Sequence, residues 1–257
     1  MMYYEMTGFM PGQNGAEECG QIEFPEHDDA WLLLDFDGCL VEIADRPDGV
    51  DVPARVPALL QRAVERLSGR VALVSGRSIA DLETFLPDYK GLIVGTHGSE
   101  IRIDGKRSNT VDYDEQTVAR LQRAVADFAA LRPEFLVEDK PSGVVLHYRQ
   151  AEELGAVALH FMEALAQASE GFRLQPALMA YEIKPDGVGK DIGIDRLLGD
   201  DHRRAVYAGD DLTDEPALKY VQDRGGIAIK IGEAETVAKY RLPGPPELID
   251  RLEKWLA

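Results

Sequence analysis

Cysteine is scarce: Cys19 and Cys39 are the two in a chain of 257 residues. Two thiols build no disulfide framework, and their spacing fits no metal-binding cysteine motif. No apolar run approaches the ~20 residues that cross a bilayer, and the first residues show no basic stretch leading into an apolar core. Neither a membrane span nor a signal peptide is therefore expected. Aromatic residues make up only 7% of the chain, and 28 Lys and Arg face 46 Asp and Glu, for a formal net charge of −18. That surplus repels polyanions, which excludes general binding of nucleic acid or of anionic membranes. Internal repeats and low-complexity tracts are absent. The expectation is a soluble protein of a reducing, cytoplasmic compartment, 45% apolar and long enough for one large domain or two smaller ones.

What is present is a repeated pattern. Leu32-Leu33-Leu34 ends at Asp35-Phe36-Asp37-Gly38, and Val71-Ala72-Leu73-Val74 ends at Ser75-Gly76-Arg77. Leu92-Ile93-Val94 ends at Gly95-Thr96-His97-Gly98, and Ala205-Val206-Tyr207-Ala208 ends at Gly209-Asp210-Asp211. Short apolar runs of this kind read as parallel strands covered on both faces. Between the first two, Val56, Leu59, Leu60, Ala63, Val64 and Leu67 recur at helical spacing, with Pro53 before them and Gly69 after. Ile79 to Phe85 and Thr213 to Val221 are shorter helix candidates. Strand and helix in alternation predict an α/β, Rossmann-like doubly wound sheet, whose ligands sit beyond the carboxyl ends of the strands. All four polar clusters fall there.

The stretch from Ser108 to Pro185 has another rhythm: helix, strand, strand, twice over. It predicts an inserted α+β domain at 108–185, between core segments 29–107 and 186–257, with residues 1–28 as an N-terminal tail. Strand parity places Val144, Leu146, Ile183 and Tyr181 on one face. On the other fall Glu138, Lys140, His147, Arg149, Glu182 and Lys184. From pattern alone such a charged face is simply the solvated one.

The strand ends carry carboxylates in clusters: Asp35 and Asp37 on a turn eased by Gly38, and Asp210, Asp211 and Asp214 on another. Clustered carboxylates repel one another unless a hard cation lies among them, and Mg²⁺ favours oxygen ligands. A phosphate ester bound to so acidic a chain would need that cation and placed basic groups. The competing reading, a solvated turn and a helix cap, accounts for Asp210, Asp211 or Thr213 singly.

In order, Asp35-Phe36-Asp37-Gly38-Cys39, Ser75, Lys190 and Gly209-Asp210 with Asp214 resemble the four motifs of the haloacid-dehalogenase-like (HAD) phosphatases. The resemblance implies that Asp35 attacks phosphorus to form an aspartyl-phosphate while Asp37 serves as acid and then base. It also implies that Ser75 and Lys190 hold the phosphoryl oxygens, and that Mg²⁺ is bound by Asp35, the Asp37 carbonyl and Asp210, supported by Asp214. Cys39 stands where those enzymes usually have Thr, and Asp191 where Gly is common.

A finer resemblance, from Trp31 to the C-terminus, is to the trehalose-6-phosphate phosphatases. It rests on residues 35–43, Val-Ser-Gly-Arg-Ser at 74–78, His-Gly-Ser-Glu at 97–100, Leu-His-Tyr-Arg at 146–149, Glu-Ile-Lys-Pro at 182–185 and Gly-Asp-Asp-Leu-Thr-Asp-Glu at 209–215. In that family the insertion is a cap whose polar face recognises the sugar. The resemblance thus makes Gly76, Arg77, His97, Gly98, Glu138, Lys140, His147, Arg149, Glu182 and Lys184 expected sugar-phosphate contacts. It implies the last step of trehalose biosynthesis, with coupling to a trehalose-phosphate synthase. The alternatives are another sugar phosphate (sucrose phosphate or mannosylphosphoglycerate), a phosphomutase, or a silent sugar-phosphate sensor.

Overall fold

The structure is a computed structural model, and it describes residues 17–18, 22–44, 46 and 49–257. In chain order the elements are β1 (Glu17–Glu18), β2 (Ala30–Leu34), α1 (Arg55–Arg66), β3 (Val71–Val74), α2 (Ile79–Phe85), β4 (Leu92–Gly95), β5 (Glu100–Ile103) and β6 (Lys106–Asn109). Then follow α3 (Glu115–Ala129), β7 (Leu136–Lys140), β8 (Gly143–His147), α4 (Gly155–Gln167), β9 (Phe172–Ala177) and β10 (Ala180–Pro185). The chain closes with α5 (Lys190–Leu198), β11 (Arg204–Gly209), α6 (Glu215–Asp223), β12 (Ile227–Ile231), β13 (Tyr240–Leu242) and α7 (Pro245–Trp255).

The four apolar runs are neighbours in one sheet, ordered β1-β13-β12-β11-β2-β3-β4-β5-β6. It is parallel from β1 through β4, with an antiparallel hairpin, β5–β6, on its far edge. Alternation along each strand divides the core in two. Leu32, Leu34, Val71, Leu73, Val206 and Ala208 pack with α1, α2 and α7 on one face. Leu33, Ala72, Val74, Ala205 and Tyr207 pack with α5 and α6 on the other. Both faces are covered, which is why these strands read as unbroken apolar runs.

Between β6 and α5 a second sheet, antiparallel in the order β7-β8-β10-β9, packs against α3 and α4. Val144, Leu146, Ile183, Phe135 and Phe172 face those helices, as parity required. The expected boundary at 107/108 falls inside β6, because Asn109 still pairs with Glu100 of β5. Much of the expected tail, residues 1–28, lies outside the described residues. Its described part from Ile22 onward is packed: Phe24 stacks on Trp255 at 4.8 Å, and the Trp255 indole donates to the Pro25 carbonyl at 2.9 Å. Among the described residues no helix is long and apolar enough to cross a membrane.

Leu33 is fully buried in the centre of the sheet, on the α5–α6 face. Leu33→Ala should therefore cost about 2–5 kcal/mol of unfolding free energy, read from the denaturant midpoint at unchanged m-value.

Candidate active site

The sheet brings β2 and β11 side by side, so the turns that follow them face each other. The Asp35 amide donates to the Ala208 carbonyl at 3.0 Å, which ties the first turn to the neighbouring strand. One Asp35 oxygen accepts from the Phe36 amide at 2.7 Å, and the other lies 2.9 Å from Lys190 Nζ. Gly38 turns that segment at φ +68°, and a Cβ there would fall inside the Asp210 carboxylate. Only glycine lets the two turns approach so closely.

Lys190 opens α5 and is 3% exposed. Its ammonium bridges Asp35 and Asp214, the latter at 2.6 Å. Gly98 seats the helix: it has φ +100°, and a Cβ there would meet the Gly189 carbonyl just before α5. Gly98 itself does not line the cleft. Asp214 is fully buried, and both its oxygens are already engaged. One accepts from Lys190 and the Tyr207 hydroxyl, the other from the Asp210 and Asp211 amides. Asp214 thus organises the turn that presents Asp210.

Carboxylate oxygens of Asp35, Asp210 and Asp214 lie within 4.8 Å of one another. Burial, then the charge of Asp214, pushes the Asp35 carboxyl well above its usual range and lifts Asp210 to about 7. Burial would also raise Asp214, but Lys190 outweighs it and holds that group down. Three carboxylates share one ammonium, and the charge left over sits on Asp35 and Asp210. A hard divalent cation fits this all-oxygen donor set.

The cleft of about 300 Å³ above these groups gathers Asp35, Asp37, Ser75, Gly76, Arg77, His97, Lys190 and Asp210 from the large sheet and α5. The second sheet contributes Glu138, Lys140, His147, Arg149 and Glu182. Lys184, expected beside them, lines an adjoining pocket instead. Parity assigns a face, but two residues along a strand are about 6.6 Å apart.

Arg77 is the other surprise. It clamps both oxygens of Asp37, at 2.6 and 2.8 Å, with its guanidinium 4.9 Å from the Phe85 ring centre. Ser75 Oγ accepts from the Arg77 amide at 3.2 Å, fixing the loop. Across the cleft, Glu138 takes Lys140 on one oxygen and His147 on the other at 3.0 Å. Burial works to raise Glu138, yet His147 and Lys140 hold it near about 2. Lys140 also donates to the Gly76 carbonyl at 3.1 Å, and Ser142 to Ser99 Oγ at 2.9 Å, so the two sheets are joined at the cleft.

His97 Nε2 lies 3.1 Å from Glu182. Burial, then Lys184, Lys190 and Lys140, keeps the imidazole neutral, and burial raises Glu182. A neutral ring that donates from Nε2 has a bare acceptor at Nδ1. That atom and Glu182 Oε1 are both buried without a hydrogen-bond partner. Two buried acceptors left open on the cleft offer sites where the donors of a ligand or an ordered water would fit.

Sequence reasoning left out Glu134, whose buried Oε2 is likewise unpartnered, and the apolar rim of Ile43, Leu136 and Leu178. Leu178 is 59% exposed in the turn between β9 and β10, before Met179 at φ +55°. An apolar residue at a hairpin tip, where polar turn residues are the rule, was the available signal.

A doubly wound sheet with an Asp-x-Asp turn at one central strand end, a buried lysine opening the helix beside it, and a second sheet over the cleft make up a fold shared with a phosphatase of the HAD superfamily from Bacteroides thetaiotaomicron, at TM-score 0.59 and 17% identity. The family pattern described as trehalose-phosphatase matches residues 33–246. A probable trehalose-phosphate phosphatase of Sinorhizobium fredii (strain NBRC 101917 / NGR234) is 37% identical over 213 residues, covering 79% of this chain and 78% of that protein. The trehalose-6-phosphate phosphatase of Escherichia coli (strain K12) is 32% identical over 227 residues, covering 87% and 85%. A crystal structure of a trehalose-6-phosphate phosphatase related protein superposes with TM-score 0.77 at 26% identity, covering 88% of this chain and 96% of that one. The chain belongs to the trehalose-phosphatase family and is a phosphoric monoester hydrolase.

The His97 environment has a pH signature. Its folded pKa lies below the ordinary 6.5, so the unfolded chain binds the extra proton first as pH falls. The stability His97 contributes is full above about 6.5 and is lost below it. Stability–pH curves of wild type and His97→Asn should diverge with that sign, the variant losing less between about pH 6.5 and 5; parallel curves would contradict a neutral buried imidazole.

Proposed function

We propose that the protein hydrolyses trehalose 6-phosphate to trehalose and phosphate through an aspartyl-phosphate on Asp35. The observation that carries the substrate is the pair of buried, unpartnered acceptors, His97 Nδ1 and Glu182 Oε1, in the cleft that also holds Asp35 and Lys190. One end of such a ligand must be a phosphoryl group and the other must donate hydroxyls, as a sugar phosphate does. The choice of trehalose among sugars rests on the names of the relatives.

Asp35 is held by Phe36 N and Lys190 with its carboxylate facing the cleft. Its oxygen attacks phosphorus as the phosphorus–sugar oxygen bond breaks. Asp37 gives a proton to the leaving oxygen, then takes one from the water that attacks the aspartyl-phosphate, releasing phosphate. Lys190 and Ser75 hold phosphoryl oxygens, and preorganised charge of this kind supplies much of the acceleration in phosphoryl transfer. Mg²⁺ held by Asp35, the Asp37 carbonyl and Asp210 would neutralise the repulsion between carboxylate and phosphate.

Arg77 enters this scheme as a partner of Asp37. It orients Asp37 by holding one lone pair of each oxygen, while the carboxyl group stays one-third exposed on the cleft where the sugar oxygen would meet it. Glu138, Lys140, His147, Arg149 and Glu182 meet the sugar from the second sheet, which acts as a cap. Cys39, in the turn after Asp37, is buried with its thiol 3.4 Å from the Ala208 carbonyl and has a packing role.

Phosphate release from a panel of sugar phosphates tests the assignment. Trehalose 6-phosphate should be strongly preferred, and chelation or Asp35→Asn should each remove at least about 10³-fold of the rate. Preference for another sugar would overturn the substrate, and full activity in chelator would overturn the metal. For Arg77→Met, phosphorylation by a sugar phosphate should fall about 10–100-fold more than by 4-nitrophenyl phosphate, whose leaving group needs no proton. Equal losses would assign Arg77 to phosphate binding alone.

A further inference from the structure

Behind the main cleft lies a smaller pocket of about 180 Å³, which shares His97, Lys190 and Thr213 with it. Lys190 is therefore approached from two sides. Arg173 and Lys184 bring positive charge to this second pocket alone.

Lys184 is the informative residue. It is 3% exposed on β10, and among the described residues its ammonium makes no hydrogen bond or close ion pair, the carboxylates that attract it being Glu182 and Asp191. The carboxylate nearest along the strand, Glu182, is turned to His97. Burial lowers this ammonium to about 8, and the attraction of Glu182 and Asp191 offsets only part of that cost. The same pocket is lined by Gly189, Lys190, Asp191 and Ile192, the first turn of the nine-residue helix α5. Gly189 provides no side-chain cap, and the Asp191 carboxylate lies beside Gly189 at this end of the helix. Arg173, exposed on β9, is held near by its hydrogen bond to the Val188 carbonyl. Against these stands one carboxylate, Asp191.

We propose that this pocket is a second anion site, which takes a small tetrahedral oxyanion, and that inorganic phosphate bound there inhibits the enzyme. Lys184, Arg173 and the α5 amides meet the phosphate oxygens, while Asp191 weakens the site by like charge. A phosphate behind Lys190 competes for the ammonium that otherwise serves Asp35 and the phosphoryl group in front. Raising the substrate concentration does not displace it. The site stands on its own residues; its regulatory meaning rests on the phosphatase reaction proposed above, which makes the inhibitor its product.

Equilibrium dialysis of labelled inorganic phosphate against the full chain with Mg²⁺ tests the site without any turnover. Two phosphates should bind per chain. Arg173→Met, an exposed and conservative change, should weaken the second by at least about tenfold, and Asp191→Asn should tighten it. In steady-state assays, phosphate should lower kcat at saturating substrate in the wild type, and Arg173→Met should abolish that component while the competitive one remains. One phosphate per chain, or a second whose affinity neither substitution moves, would overturn the proposal. Two phosphates bound by a protein that hydrolyses no sugar phosphate would leave the site standing and overturn the proposed function alone.

Discussion

The ammonium of Lys190, set between Asp35 and Asp214, is the interaction on which the rest of the site depends. Carboxylates from the ends of two adjacent strands cannot share a buried space unless something positive lies between them. Lys190 supplies that charge from the first residue of α5, a helix seated by the contact between Gly98 and Gly189. Removing one member of such a set leaves an uncompensated buried charge, which destabilises far more than the intact set stabilises. The cluster is also left short of positive charge, as the raised Asp35 and Asp210 show, and that is where the proposed cation and phosphoryl group would be accommodated. An acidic protein can thus handle an anionic substrate, because the field that matters is local.

Around that centre the second sheet answers a different constraint. Its polar face is not a solvated surface but a set of paired and half-paired groups closing the cleft. Glu138 is saturated by Lys140 and His147, and Lys140 reaches across to Gly76. His97 and Glu182 satisfy each other on one side only. Saturated groups fix the geometry; the half-satisfied ones are left for a ligand. Lys230 shows the purely structural version: it is buried in β12 and paired with Glu215, whose other oxygen accepts from Thr236 and Val237, bracing the turn that bears Asp211.

Much of this was legible in the sequence because burial on both faces leaves a plain mark. Each of the four apolar runs ending in a polar cluster is a central strand, and α2 spans the predicted Ile79–Phe85. Parity separated Val144 and Leu146 from His147 correctly. What escaped was set by tertiary geometry. β12 carries Lys230 in mid-run, a charge that breaks the apolar signature until its partner Glu215 is known. The short strands β5, β6 and β13, towards the two ends of the sheet, lack an unbroken apolar run to announce them. The Arg77–Asp37 clamp joins residues 40 positions apart, and Lys184 lines a pocket with the first turn of α5, which strand parity does not reveal.

The central claim is that Asp35, held by Lys190, becomes covalently phosphorylated. Protein quenched during turnover of trehalose 6-phosphate and reduced with borohydride converts an aspartyl-phosphate to homoserine, which peptide mass mapping locates. The account predicts that mark at position 35 of the wild type. Turnover with no mark at Asp35, or with the mark on another carboxylate, would contradict it.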